Sequence, residues 1–512
     1  MSSPALVLSG RLEIGELNAA AIERRPVELE EAALASVDRN RRALNDAMDQ
    51  GTQIYGITTG YGALVTRQVP PERSREAQVN LLRSHAAGWG DPLPREVVRA
   101  AMIVRLNGLL QARSGVRREV LERIVAFLNA GLIPLIPRAG SLGASGDLAP
   151  SAHAFLPLIG EGQVVDEAGE LLGGTEALNR LGVPPLVLEA KEALSLINGT
   201  HFMAAIAALV SARVATALDT ADAAAALSLE ALAGSASALD PRVHTLRRLS
   251  GQMRSAENMR GLIKGSHSPS DEAGELQDAY SLRCAPQIHG AAREAVAYFD
   301  RIVDADLNAV TDNPVVFEEP PYVMSAGNFH GQSLALALDT LRVAMADLAS
   351  VSERRTFRLL SPSLNNGLPP FLSLEAGASS GYMVAQYTAA ALLVELRALA
   401  HPVSCDGVPT SDSQEDHVSM GMTGATMALD AIDRLETVLA IELVCSAQAV
   451  DCRDREPNGG VAAVHRLVRE QVPPLESDRP PAADIVAAQQ IVTEGRVAAI
   501  VAQSNRSTSL VR

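Results

Sequence analysis

FMAAIAALVSARVATALDTADAAAALSLEAL, from Phe202 to Leu232, is a continuous Ala- and Leu-rich run whose charges stand singly at Arg213, Asp219, Asp222 and Glu230. Alanine is the best helix former and leucine follows it closely, so the run is read as part of a long helix from about Ala190 to Ala233. The interrupting charges argue against a membrane span. Four segments share its helical period: Pro286 to Ile302, Phe329 to Phe357, Ser379 to Ala400 and Gln414 to Val450. A stripe such as Leu334, Leu336, Leu338, Leu341, Met345 and Leu348 cannot stand alone in water, and such helices pack nearly antiparallel. The predicted fold class is all-α: a long central antiparallel helix bundle with a smaller N-terminal helical part.

Working outward, residues 1 to about 135 read as shorter helices, for example Val27 to Asp49 and Pro94 to Ala112, joined by Gly- and Pro-containing turns. The expected division is 1–197 for the N-terminal part and 198–512 for the bundle, with a last helix near Ala482 to Ala502 after the Pro473 to Pro481 stretch.

Composition narrows the function. The 512 residues hold 44 Lys plus Arg against 60 Asp plus Glu, a net charge of −16, which argues against a nucleic-acid partner. Apolar residues make up 47% and aromatics only 3%, so the core is built from Ala, Leu, Val and Ile, which disfavours an all-β fold. Four cysteines without paired spacing suit free thiols better than a disulfide frame or a zinc knuckle, and no metal site is expected. Neither of the two lysines, Lys191 and Lys264, has a context that favours Schiff-base chemistry. The start, Met1-Ser2-Ser3-Pro4, lacks a basic segment followed by an apolar core, so a soluble cytoplasmic protein without a membrane partner is expected.

The chemistry concentrates in Gly140-Ser141-Leu142-Gly143-Ala144-Ser145-Gly146-Asp147-Leu148-Ala149-Pro150. A phosphate loop needs Gly-Lys-Ser/Thr, and a hydrolase nucleophile elbow needs Gly two residues after the Ser, where Asp147 stands. Another reaction suits the residues. Attack of the Gly146 nitrogen on the Ala144 carbonyl closes a five-membered ring, and loss of the Ser145 hydroxyl leaves an exocyclic alkene, a methylidene-imidazolone electrophile. Closure needs backbone atoms pressed together, which small residues permit. The plainer alternative is a Gly-rich helix-entry loop capped by Asp147.

This segment resembles the prosthetic-group loop of the aromatic amino acid ammonia-lyases and aminomutases, and of the histidine ammonia-lyases in particular. Further blocks resemble the family in family order: Tyr55-Gly56-Ile57-Thr58-Thr59-Gly60-Tyr61-Gly62, Ser84-His85, Asn198-Gly199-Thr200, Gln277 to Cys284, Gly327-Asn328-Phe329-His330 and Gln414-Glu415-Asp416-His417. The resemblance implies a fumarase/aspartase-like fold, a homotetramer with sites shared between subunits, and 4-methylidene-imidazol-5-one made from Ala144, Ser145 and Gly146, with no added cofactor. It implies Tyr55 as the base for the β-proton and Tyr280 as a helper in proton traffic beside the electrophile. Arg283 is implied to clamp the carboxylate, with Gln277, Asn198 and Phe329 around the substrate. Gln277, Tyr280 and Arg283, spaced i, i+3 and i+6, would share one helix face, although that spacing alone also suits a solvated face.

His85 and Glu415 bear on the substrate, because a carboxylate rewards an imidazole and not a benzene ring; alternatively Ser413 to Asp416 opens a helix and Glu415 is a first-turn acid. Thr58, Tyr61, Trp89, His201, Ala279 and Gly331-Gln332 depart from the histidine lyases, Thr58 toward the tyrosine lyases, and Trp89 and His201 suggest a reshaped pocket. The leading expectation is a carbon–nitrogen lyase of amino acid catabolism that converts L-histidine to trans-urocanate. The alternatives are a lyase on tyrosine or another aromatic amino acid, or a 2,3-aminomutase.

Overall fold

The computed structural model describes residues 4–50, 53–266, 277–319, 321–453 and 456–509. Helices dominate, and among the described residues the strands form two- and three-stranded pairings, such as Leu6–Leu8 beside Val27–Leu29 and the hairpin Val315–Glu318 with Pro321–Met324.

The decisive run is two helices, Glu192–Ile197 and His201–Ala231, broken at Asn198-Gly199-Thr200. At the break Gly199 sits at φ +132°, where glycine is favoured, and a Cβ there would lie 2.5 Å from Thr311 Oγ1. The other long helices are Ala285–Leu307, Gln332–Leu360, Met383–Leu399 and Gly421–Asp451. The last begins after the predicted Gln414 because Ser411, Asp412, Ser413 and Met420 all have positive φ, so Glu415 lies in a turn and not in a first helical turn. Val27–Leu29 is a strand and its helix starts at Glu31, while the C-terminal helix is split into Pro481–Thr493 and Arg496–Ser509 around Gly495 at φ +70°. Within Gln332–Leu360 the stripe Leu334, Leu338, Leu341, Met345 and Leu348 is buried, but Leu336 is 48% exposed, because at 100° per residue it lies about 200° around the helix from Leu334 and Leu338. By length and composition His201–Ala231 is apolar enough to cross a membrane; 78% of its most apolar window is buried inside the protein.

The chain forms two compact units that interleave in sequence: residues 1–212, 299–339 and 402–426, and residues 213–298, 340–401 and 427–512. A single cut at 197/198 does not describe them, because four long helices each supply residues to both. In the first unit, helix Arg95–Leu110 is buried on nearly every side. The second unit has an aliphatic core in which Ala223, Ala224, Ala225 and Ala226 meet Ile441, Leu443, Val464 and Val497, small side chains allowing close helix approach.

That second core encloses a satisfied polar chain. Glu442 accepts Arg355 at 2.5 and 2.9 Å, Ser228 Oγ at 2.8 Å and Ser352 Oγ at 2.6 Å, all fully buried. Arg355 also donates to His289 Nε2 at 3.3 Å, so the imidazole hydrogen sits on Nδ1 and is donated to Asp222 at 2.7 Å. Burial alone would raise the Asp222 carboxyl, but Arg293 and His289 hold it down at about 2. Removing one partner of such a buried pair costs about 3 kcal/mol. Glu442→Gln is therefore expected to lower the unfolding free energy by about that amount in denaturant titration, with little change on replacing the solvent-exposed Glu76 of the Arg73–Glu76 pair.

Candidate active site

The Ala144-Ser145-Gly146 loop is a tight turn closed by the Gly146 N–H on the Gly143 carbonyl at 3.2 Å. Ser145 has φ +50° and Gly146 φ +85°; the left-handed serine costs roughly 1–2 kcal/mol. Gly146 lies flat against Gly199, and a Cβ at 146 would overlap the Gly199 carbonyl. The same two segments are tied by Gly199 N to the Ser145 carbonyl, 3.1 Å, and Asp147 N to the Gly199 carbonyl, 2.7 Å. On the other side Met420 N reaches the Leu142 carbonyl at 2.9 Å.

Asp147 does not cap its own helix, Leu148–Phe155. Its Oδ2 instead accepts the Phe202 and Met203 amides at 2.8 and 3.0 Å, at the start of His201–Ala231, where free N–H groups favour an acid. Burial pushes its carboxyl up to about 7 even though those two amides pull it down.

Ser145 opens into a cavity of about 1130 Å³ lined also by Tyr55, His85, Ala144, Asn198, Phe329 and Glu415. Six of the expected site residues thus meet Ser145 in one space, within the first compact unit, and Gly146 lies behind them against Gly199. Tyr55 accepts the Gly62 amide on its phenol oxygen at 3.0 Å. Asn198 donates Nδ2 to the Asn313 carbonyl at 2.9 Å and leaves its buried Oδ1 without a partner. Lys191, fully buried, donates to Asp312 and Ser195 at 2.7 Å each.

On the cavity wall His85 Nδ1 faces the Leu81 carbonyl at 2.9 Å, so the hydrogen is assigned to Nδ1 and Nε2 is an open acceptor. Burial pushes this imidazole below its ordinary value, and Glu415 acts in the opposite sense. Glu415 Oε2 accepts Thr410 Oγ1 at 2.8 Å. Together they offer acceptors to a ligand N–H.

Gln277, Tyr280 and Arg283 belong to the second unit and are not among the lining residues. They do not share one helix face either: the helix Tyr280–Arg283 is a single turn and Gln277 lies before it. Arg283 stacks on the Tyr280 ring at 4.9 Å, and Tyr280 is 70% exposed.

Two expected pocket modifiers are elsewhere. Trp89 is 81% exposed on a short strand. His201 is buried, bonded through Nε2 to Ser151 at 2.9 Å, and outside the cavity lining. Thr58 closes its own turn on Ile54. Tyr61 does line the cavity, its hydroxyl accepting Gln78 at 3.1 Å, and burial pushes that phenol up to about 12. Sequence reading missed Ser411 and gave no individual role to Gln414, His330 and His417 in the blocks quoted above, although all four line the cavity; the imidazoles of the last two stack with centroids 5.8 Å apart. Ser411-Asp412-Ser413 is a turn composition, a signal that an assumed helix start concealed.

Residues 12–470 match the family model described as aromatic amino acid lyase. The chain is 47% identical over 496 residues to a histidine ammonia-lyase of Gloeobacter violaceus, covering 96% of each chain. Among solved structures it is similar to the histidine ammonia-lyase of Trypanosoma cruzi, with TM-score 0.91, 37% identity and coverage of 98% and 95%. It is also similar to the tyrosine aminomutase of Streptomyces globisporus, with TM-score 0.92, 35% identity and coverage of 98% and 99%.

Asp147 carries a pH signature. Burial holds it at about 7, above the ordinary carboxyl value of 3.8. The native state therefore keeps a proton that the unfolded chain releases, and this contribution is full below 3.8 and lost as pH rises toward 7. In urea titrations from about pH 5 to pH 8, Asp147→Asn, which cannot titrate, is expected to lose less unfolding free energy with rising pH than the parent.

Proposed function

The chain belongs to the aromatic amino acid lyase family and is a carbon–nitrogen lyase, and on that premise we propose that it eliminates ammonia from L-histidine to give trans-urocanate, using a methylidene-imidazolone made from Ala144, Ser145 and Gly146. The observation that carries this reading is the single cavity in which Ser145 faces Tyr55, Asn198, His85 and Glu415.

The loop fits the ring. The turn draws the Gly146 nitrogen back over its neighbours, and the contact with Gly199 leaves no room for a Cβ at 146. Closure between the Gly146 nitrogen and the Ala144 carbonyl carbon expels that carbonyl oxygen as water, and Ser145 loses its hydroxyl and α-hydrogen as a second water. The unpartnered Asn198 Oδ1 at the cavity wall has capacity for a donor on the ring or on the substrate. Once made, the ring supplies an electrophile that turns the substrate amine into a better leaving group.

The remaining work falls to the side chains. Tyr55, with its phenol oxygen held by the Gly62 amide, removes the β-proton. His85 Nε2 and a Glu415 oxygen accept the imidazole N–H and fix the ring's orientation, a reward a phenyl ring would not earn. Phe329 forms an apolar wall. Gln277, Tyr280 and Arg283 come from another subunit of a homotetramer: Arg283 clamps the carboxylate bidentately and Tyr280 assists proton transfer. Tyr280 exposure supports that reading, as do the half-exposed Val384, Tyr387 and Val394 on one bundle helix, apolar surface that an interface would cover. A soluble cytoplasmic setting suits the four free cysteines and the net charge of −16.

A second reading, a tyrosine lyase or a 2,3-aminomutase, is favoured by Tyr61 in the cavity and by the likeness to the tyrosine aminomutase. Incubation with L-histidine, L-tyrosine, L-phenylalanine and L-tryptophan, with products identified by mass spectrometry, separates them. Urocanate from L-histidine, absent with Ser145→Ala, is the expected result; a β-amino acid or a cinnamate-type acid would select the second reading. For shared sites, Tyr55→Phe and Arg283→Ala are each expected to lose at least 100-fold in turnover as separate tetramers. Tetramers mixed from both variants should regain a measurable share of the parent rate.

A further inference from the structure

Ser411, Asp412 and Ser413 have φ of +51°, +53° and +62°. Three successive non-glycine residues in the left-handed region are held there against their preference. What holds them is a closed turn: Thr410 N donates to the Glu415 carbonyl at 3.0 Å, Glu415 N to the Thr410 carbonyl at 3.3 Å, and the Thr410 hydroxyl to the Glu415 carboxylate at 2.8 Å. One end of this turn presents Glu415 to the cavity. The other presents Ser411, whose Oγ accepts the Ala63 amide at 3.1 Å, across 348 residues of sequence. The same oxygen packs so tightly on Gly62 that a Cβ there would lie 2.5 Å from it. Gly62 in turn donates its amide to the Tyr55 phenol oxygen at 3.0 Å. The neighbouring amides 62 and 63 are therefore shared out, one to the phenol and one to the turn that carries the carboxylate.

We propose that Ser411 is a positioning residue for the Tyr55 phenol, and that through it the seating of the substrate ring at Glu415 and the aim of the base become one coupled event. The proposal rests on the roles given above to Tyr55 and Glu415. Its physical content is that the Gly62–Ala63 segment has no helix or strand of its own to fix it beyond a short 3₁₀ turn, Gly62–Thr66. The Ser411 hydroxyl supplies the fixed point, and the strained turn hands any displacement of Glu415 on to it.

Ser411→Ala removes the hydroxyl at a partly exposed site, and its ultraviolet ring absorption should match the parent's. Turnover of L-histidine is expected to fall about tenfold, with the dissociation constant of imidazolepropionate, which keeps ring and carboxylate but cannot react, within twofold. The kinetic isotope effect on β-deuterated L-histidine should rise, since a misaimed base slows proton transfer. In a Glu415→Gln background the same change should cost less than threefold, because the coupling is already broken. Turnover within twofold of the parent, or an unchanged isotope effect with a raised KM, would overturn the positioning role, and a full tenfold loss repeated in the Glu415→Gln background would overturn the coupling. Should Ser411→Ala fold poorly, Ser411→Gly also lacks the hydroxyl but accepts the left-handed backbone without strain, and the same outcomes decide. An active Tyr55→Phe enzyme would remove the base assignment itself, an outcome distinct from an inactive Tyr55→Phe beside an unaffected Ser411→Ala.

Discussion

The Asp147 carboxylate at the head of His201–Ala231 is the contact on which the arrangement depends. A long helix begins with amides that have no intrahelical partner, and a side chain that accepts two of them fixes the helix start to the loop that bears it. Because Asp147 directly follows Gly146, that anchorage also fixes the Ala144-Ser145-Gly146 turn against Gly199. The cavity floor and the first turn of a 31-residue helix are thus tied together through one side chain. Burying the carboxylate is costly, and its raised value reflects that cost.

Much of this was legible in the sequence, for reasons that can be named. Long Ala and Leu periodicity reports buried helices faithfully because nothing else buries that pattern, and the aliphatic stripe of Gln332–Leu360 behaved accordingly at every position except Leu336. The Gly-rich loop was legible because positive φ at Gly143 and Gly146 admits few other residues. What was not legible depended on contacts between distant segments. At 198–200 Asn198-Gly199 is itself a capping signal, but the close approach of Thr311 to Gly199, from more than a hundred residues away, is not written in the local composition. Gln277, Tyr280 and Arg283 have helical spacing, yet only one turn forms. The late start at Gly421 follows from left-handed residues that no propensity scale anticipates. The interleaved units escaped for the same reason: the order of residues says nothing about which distant segments return to complete a core.

The departures that suggested a reshaped pocket also sort by contact. Trp89 and His201 have no part in the cavity, and Thr58 satisfies its own turn. Tyr61 alone of these reaches the cavity wall, with its hydroxyl already engaged by Gln78. His85 and Glu415 line the same cavity as acceptors, beside Gln414, His330 and His417. A departure in sequence therefore bears on specificity only where the fold brings it to the substrate's side.

The interleaving has a consequence for biosynthesis. The first unit needs residues 402–426, so the walls around Ser145 are incomplete until residue 426 has left the ribosome. The ribosome makes 426 − 146 = 280 further residues after Gly146 before that point, which at about 5–20 residues per second takes roughly 15 to 55 s. Gly199 and the Phe202 and Met203 amides follow the loop early in that interval, whereas Glu415 and Met420 come near its end. A truncated product released before that point therefore lacks the Glu415 side of the cavity and the Met420 contact that holds Leu142.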